Sequence, residues 1–367
     1  MNAKIFLLST AAAISFAAGS AWAGQSVVVQ SGPVNSDGVA PKYAFIRRAP
    51  SNLPQLAPVK LPKTWTYNLK NAGVTYPEAF IGTAPAGGLT TTIPVYIVPV
   101  KVVFGTTSYD PTVVQANGVS IIQNVVNSPI FAKSVDYVQG KVDMGTTQYE
   151  DAFQRANLWY AVQKHPTYHI LLAPTVEPVI TVTIPKANGK LISAFGATKL
   201  IMGNINVFDP LIQAQIATLK IPSNALPLFI TTHTYLSEDN GTDGCCIGGY
   251  HSASTIGQPY AHATYIATAG AFSQNVSALS HELGEWINDP NLNNAVPPAC
   301  GSGAVMEVGD PLETFTNYGD YAYTVSGVTW DMQDLTLLPY FGAAAATSVN
   351  KWTTFQGETL PFCSNGG

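Results

Sequence analysis

The sequence predicts an α/β (α+β) chain in which a mixed sheet carries one polar-faced helix near the C-terminal end, behind an extended Pro-rich N-terminal arm. Three features predict it. Residues 200–236 read as strand, helix, strand; residues 276–288 space apolar side chains as a helix does; and residues 24–92 are rich in proline with no helical period. The organisation that follows is a leader over 1–23, the arm or a prosegment over 24–92, and a single α/β domain over 93–367.

The leader has Lys4, an apolar run from Ile5 to Ala18 and the small-residue ending Ala21-Trp22-Ala23. These are the three regions of a secretory signal peptide cleaved after Ala23, so a secreted or periplasmic protein is expected. No later stretch reaches about 18 uninterrupted apolar residues, so no membrane span is expected once the signal is gone. In the arm, Val27-Val28-Val29 is the one early strand-like run, and Arg47-Arg48 reads as surface charge or a processing site.

From Ile93 the pattern sharpens. Val95 to Phe104 reads as a buried strand despite Pro99, and Val119 to Val126 as a short helix stopped by Ser128-Pro129. Thr146 to Trp159 reads as a helix with Thr147 and Glu150 at capping-box spacing and Tyr149, Phe153, Ala156 and Tyr160 on its inner face. Its charged residues Glu150, Asp151 and Arg155 are read as structural pairing. Strands follow at His169–Leu172 and Val179–Ile184. Leu200 to Val207, a helix opened by Asp209-Pro210 and reaching Leu219, and Leu228 to Leu236 form a βαβ unit. Tyr260 to Thr268 alternates as a strand directly before the polar-faced helix.

That helix holds His281-Glu282-Leu283-Gly284-Glu285-Trp286-Ile287-Asn288-Asp289 in a chain only 11% charged. With His281 as origin, Glu285 falls at roughly 40°, Glu282 at 100°, Asn288 at −20° and Asp289 at 80°. Val276, Leu279, Leu283, Trp286 and Ile287 occupy the opposite side, a stripe that seats the helix on a core and presents the polar face. Ser273, Asn275 or Ser277 would cap it, and Asp289-Pro290 ends it. His281 and Glu285, one turn apart, reach one metal ion, while Glu282 beside them is placed to take a proton from metal-activated water. This is the logic of the His-Glu-x-x-His metalloprotease helix with Glu for the second His, a change that lets oxygen-preferring ions compete with zinc. The plain alternative is a surface helix with a solvated acidic face.

A third donor is needed. Glu307 is expected to supply it, because it sits in a short apolar setting where a lone carboxylate is costly without a cation. Asp289 and Asp310 are alternative ligands, or residues that hold the ligands in place. His233, His251 and His262 are candidates to contact an oxyanion or substrate, although a structural histidine is the commoner case. One zinc ion, or another divalent metal, is therefore expected.

The run Ser280-His281-Glu282-Leu283 with Glu285 and Asn288-Asp289-Pro290, the later Glu307-Val308-Gly309-Asp310 and the upstream Cys246-Ile247-Gly248-Gly249-Tyr250-His251-Ser252 resemble secreted proteins related to the plant phosphate-induced, Exordium-like family and its bacterial relatives. The match covers about a third of the chain. It implies secretion and a zincin-like mixed sheet around the active-site helix, in a family with no secure catalytic activity. Pro311-Leu312 stands where that family generally places a cysteine.

Charge excludes some partners and cysteines suggest ties. The net charge of −5 leaves no basic patch for a nucleic acid. Cys245, Cys246, Cys300 and Cys363 are expected to pair over long range, since a bond between adjacent cysteines closes an unusual eight-membered ring. The function expected is an exported metal-dependent hydrolase of zinc-metalloprotease type acting on an extended peptide or cell-wall substrate, which Tyr260–Thr268 or Cys246–Ser252 would take by strand addition. The alternative is a secreted binding or cell-wall-associated protein with a structural or vestigial metal site. A glycosidase is disfavoured, since Glu282 and Glu285 on one helical turn cannot flank a sugar ring.

Overall fold

The computed structural model describes residues 25–31, 42–48, 60–240, 245–254, 257–297, 304–313, 315, 317–358 and 360. The signal-peptide residues, Cys300 and Cys363 lie outside them. Strands β1 (Gln25–Ser31), β2 (Lys42–Arg48), β3 (Thr64–Asn71) and β4 (Val74–Ile81) precede the long β5 (Thr90–Phe104) and short β6 (Thr107–Tyr109). Next come α1 (Ile121–Asn127), β7 (Val135–Gln139), β8 (Val142–Thr147), α2 (Tyr149–Asn157), α3 (Trp159–Val162), β9 (His169–Val176), β10 (Ile180–Thr183), β11 (Gly189–Ala194) and β12 (Ala197–Asn204). The remainder is α4 (Ile205–Thr218), β13 (Leu226–Thr232), β14 (Thr234–Ser237), β15 (Ile247–Ala253), β16 (Pro259–Tyr265), α5 (Ser277–Asn288), β17 (Asp320–Val325) and β18 (Val328–Gln333).

The chain is thus a strand-rich mixed α+β fold. Its large sheet runs β10-β5-β13-β16-β15-β14-β12-β11, with β9 added to β5 and β2 to β15. β5, β13 and β16 are parallel neighbours and β15 is antiparallel to β16. One face packs on α5 and α2 through Leu228, Ile230, Ala261, Ala263, Leu279, Leu283 and Trp286. The other packs on α4 through Val98, Phe229, Tyr250, Tyr260, Phe208 and Ile212. Strands buried on both faces need near-continuous apolar sequence, which β5 and β13 have. No helix among the described residues is long and apolar enough to cross a membrane.

Several expected elements form with altered ends. Ser120 and Gln123 build a capping box on α1, but Thr147 and Glu150 build none on α2, because Thr147 Oγ1 instead donates to Asp151 Oδ2 at 2.6 Å. Asp151 also accepts from Ile170 N, and Arg155 donates to the carbonyls of Met144, Pro166 and Tyr168, the structural work expected of them. Tyr160 is exposed rather than inward, since the chain breaks at Leu158 and starts α3 in a new direction. The α4 helix starts at Ile205, capped by Asn204, and Asp209 is buried within it as acceptor for Tyr250 and Tyr260 hydroxyls at 3.1 and 2.5 Å.

The expected βαβ unit is wider than neighbouring strands would make it. Leu228 to Leu236 is two strands, β13 and β14, broken at His233 with φ +50. They take different places in the sheet, so three strands separate β12 from β13. The expected long-range disulfides are also corrected: Cys245 bonds Cys246 across a cis peptide, which brings the two Cα atoms to 3.0 Å, closer than a trans bond permits.

His262, expected as a contact for substrate or oxyanion, sits on the α4 side of the sheet, away from α5. Its ring packs on Phe208 and Tyr250, and Nε2 lies 3.0 Å from Thr231 Oγ1. Burial pushes its pKa down to about 3. A histidine depressed in the fold contributes its full stability above the unfolded value of about 6.5 and loses it as pH falls toward the folded value. Between pH 7 and 5, His262→Gln should therefore lose about 2 kcal/mol less than the wild type in urea unfolding. An unchanged pH slope would contradict the assignment.

Candidate metal centre

Helix α5 forms where expected, and its apolar stripe of Leu279, Leu283, Trp286 and Ile287 is fully buried. Its polar face, however, is not presented to solvent. β15, β16, β18, β4 and α2 surround the helix, so His281 and Glu282 are 0% exposed and Glu285 2%. A solvated acidic face is thereby excluded. Buried charges require partners, and the surrounding elements bring them.

The first partner set surrounds His281. Its Nε2 lies 3.0 Å from Glu285 Oε1 and 3.4 Å from Asp310 Oδ1. On the far side of the ring, Nδ1 bonds Gln333 Oε1, while Gln333 Nε2 donates to the Tyr318 carbonyl at 2.9 Å. Gln333 is thus oriented as acceptor, so Nδ1 carries the hydrogen and the Nε2 lone pair faces the two acids. That is the tautomer a metal-ligating histidine adopts, with an outer partner fixing the ring. Unless a proton or a cation lies between them, the lone pair and the carboxylates repel.

The second set surrounds His251 on β15. Nδ1 lies 3.2 Å from Glu282 Oε2 and 3.6 Å from Glu285 Oε2, and Nε2 lies 3.9 Å from Glu307 Oε2. Donor atoms of His281, Glu285 and Asp310 lie within 4.8 Å of one another, as do those of His251, Glu282 and Glu285. Glu307 is completely buried, yet it stands on the His251 side; the second acid beside His281 Nε2, after Glu285, is Asp310. The cause is the turn between them. The Gly309 N–H donates to Glu285 Oε1 at 3.2 Å, and Asp310 opens a 3-10 turn with Pro311, which swings its carboxylate over the imidazole.

Glycine allows this closeness. A Cβ on Gly249 would lie 2.6 Å from Glu282 Oε1, and one on Gly309 would overlap the His281 ring and meet Gln333 Oε1 at 2.8 Å. Gly309→Ala should therefore cost about 1–3 kcal/mol and displace His281. Denaturant unfolding measures the first effect and divalent-metal titration the second; a neutral substitution would mean the turn is not held against the ring.

Electrostatics mark the cluster as short of positive charge. Burial first, then Glu285 and Asp310, push Glu282 well above the usual carboxylate range. Burial and Glu285 do the same to Glu307, and burial and Asp310 to Glu313. Asp310 rises to about 6, again chiefly through burial and Glu285. Burial also acts on Glu285, but His281 outweighs it and holds this carboxyl low; reciprocally, burial lowers His281 while Glu285 and Asp310 raise it well above its usual value. Glu282 Oε1 has no N–H or O–H donor among the described residues, and Glu307 meets another acid, the Glu285 carboxyl. Their donor chemistry fits a divalent cation.

Of the remaining expected residues, Asp289 stays beside the cluster, its backbone hydrogen-bonded to His251, while His233 and His262 lie elsewhere. Asp289 caps the turn after α5, accepting from Asn293 and Asn294 N–H at 2.9 and 3.1 Å through Oδ1. His233 stacks on Tyr109 and bonds Thr232, so it does not join the cluster. Conversely, His251, Gln333 and the buried Glu150 take part or stand close by, beyond the expected ligand set. For His251 a signal existed: Gly248-Gly249 just before it marks a strand that another group approaches closely. Comparison with family models, with curated proteins and with solved structures finds no match.

Proposed function

We propose that the chain is an exported metal-dependent hydrolase of zincin type, with His281, Glu285 and Asp310 as metal donors and Glu282 as the proton-handling group. The observation that carries this reading is His281 itself: Gln333 fixes the ring so that Nε2 faces the buried carboxylates of Glu285 and Asp310 at 3.0 and 3.4 Å. A bound divalent cation would polarise a substrate carbonyl and acidify water. Glu282, one residue on, takes the proton and returns it to the leaving group, and His251 Nδ1 at 3.2 Å holds its orientation. One nitrogen and two oxygens favour zinc less strongly than a two-histidine set, so manganese or another divalent ion competes. Peptide bonds are the default substrate class.

A specific observation favours a second reading, a structural metal in a secreted binding or cell-wall-associated protein. Every donor is buried, from 0% exposure at His281 to 7% at Asp310, whereas a catalytic ion needs a position open to substrate. The test is to load the mature protein with zinc and compare it with Glu282→Gln on a broad peptide library. Turnover that the substitution removes supports the hydrolase; equal turnover, including none in both, rejects it.

A further inference from the structure

We propose that the buried cluster holds two cations rather than one, bridged by the two oxygens of Glu285, with His281 and Asp310 completing one donor set and His251 and Glu282 the other. The inference rests on the metal reading above and deepens it.

Glu285 faces both histidines with different atoms, Oε1 toward His281 Nε2 and Oε2 toward His251 Nδ1. A carboxylate used this way spans two ions about 3.5–4 Å apart. The donor spacings come within about 0.3 Å of what one ion needs on both sides. Donors on one ion, with bonds of about 2.0–2.2 Å and tetrahedral angles, sit about 3.3–3.6 Å from each other. Around His281 the separations are 3.0 and 3.4 Å, and around His251 they are 3.2 and 3.6 Å.

On His251 it is Nδ1 that turns to Glu282 and Glu285, while Glu307 stands 3.9 Å from Nε2, beyond hydrogen-bond reach. Charge argues in the same direction. Glu282, Glu285, Glu307, Asp310 and Glu313 are all buried together, and among the described residues one oxygen each of Glu282 and Glu313 has no hydrogen-bond partner. One divalent cation offsets two of these five carboxylates and leaves three in a buried site. Two cations offset four. With the second ion present Glu282 is held by Oε2, and Oε1, beside the side-chain-free Gly249, is the oxygen left for the proton.

Manganese(II) tests this without any appeal to activity. The full mature chain, stripped with chelator and titrated with Mn2+, should bind two ions, and its electron paramagnetic resonance spectrum at saturation should show exchange coupling in place of the isolated-ion sextet. His251→Gln should bind one ion and show that sextet, while Glu285→Gln should lose the coupling. Saturation of the wild type at one ion, or two ions without coupling, overturns the proposal, as does a coupled pair surviving in His251→Gln. Should His251→Gln not fold, the wild-type spectrum decides alone. One ion with peptide turnover intact rejects the pair and spares the hydrolase; a coupled pair without turnover does the reverse.

Discussion

Glu282→Gln is expected to lower peptide turnover of the metal-loaded chain by about 100- to 10,000-fold, the range typical of a lost general acid–base group. The same substitution should leave the fold intact or make the metal-free protein more stable. The reason is burial: Glu282 is 0% exposed among other acids, which hold its carboxyl well above the normal range, and a neutral amide of the same shape avoids that conflict. Loss of function with gain of stability separates a working group from a packing one. Turnover is followed on a peptide library and stability by chemical denaturation. A loss of both together would mean that Glu282 only supports the fold.

Removing divalent metal should destabilise the protein, and more so at higher pH. A cation present at 100 times its dissociation constant contributes about 2.7 kcal/mol to a site formed only in the fold. For the stripped protein the sign follows from the acids. Glu282, Glu307 and Glu313 are raised by burial above their unfolded values. Groups raised in this way contribute stability that is complete below the unfolded pKa and is lost as pH rises through the folded one. Metal binding strengthens over the same range, because its ligands must be deprotonated. The gap in melting temperature between zinc-loaded and stripped protein should therefore widen from pH 5 to pH 8. A gap that is absent or narrows with pH would contradict cation binding at these carboxylates.

Much of the local structure was legible along the chain. Helix α5 lies at Ser277–Asn288 because Leu279, Leu283, Trp286 and Ile287 repeat at helical spacing and Asp289-Pro290 stops it. β5 and β13 contain the expected runs at 95–104 and 228–232, which are apolar and rich in β-branched residues. Where the local reading failed, a competing contact won. Thr147 bonds Asp151 and so caps nothing, and His233 adopts a left-handed backbone that splits one apparent strand into two. Cys245 and Cys246, expected to seek distant partners, bond each other.

The cluster was legible only in part. His281, Glu282 and Glu285 share a helix face by a rule that needs no knowledge of the fold. Which acid completes their set could not be read the same way, because Glu307 and Asp310 are three residues apart and either could reach α5. The Gly309 hydrogen bond to Glu285 decides for Asp310 at His281. His251 entered through the pairing of β15 with β16, which lays its strand against the helix, and its neighbour in sequence, Tyr250, faces the opposite side.

By itself, then, the sequence determined the helix, its two faces and the acid and imidazole at one-turn spacing, since these depend on backbone periodicity alone. Only the tertiary structure decided that the polar face is buried, that His251, Glu307 and Asp310 converge on it and that His262 does not. Those outcomes depend on strand order and on turns between segments far apart in the chain, and no local periodicity encodes either.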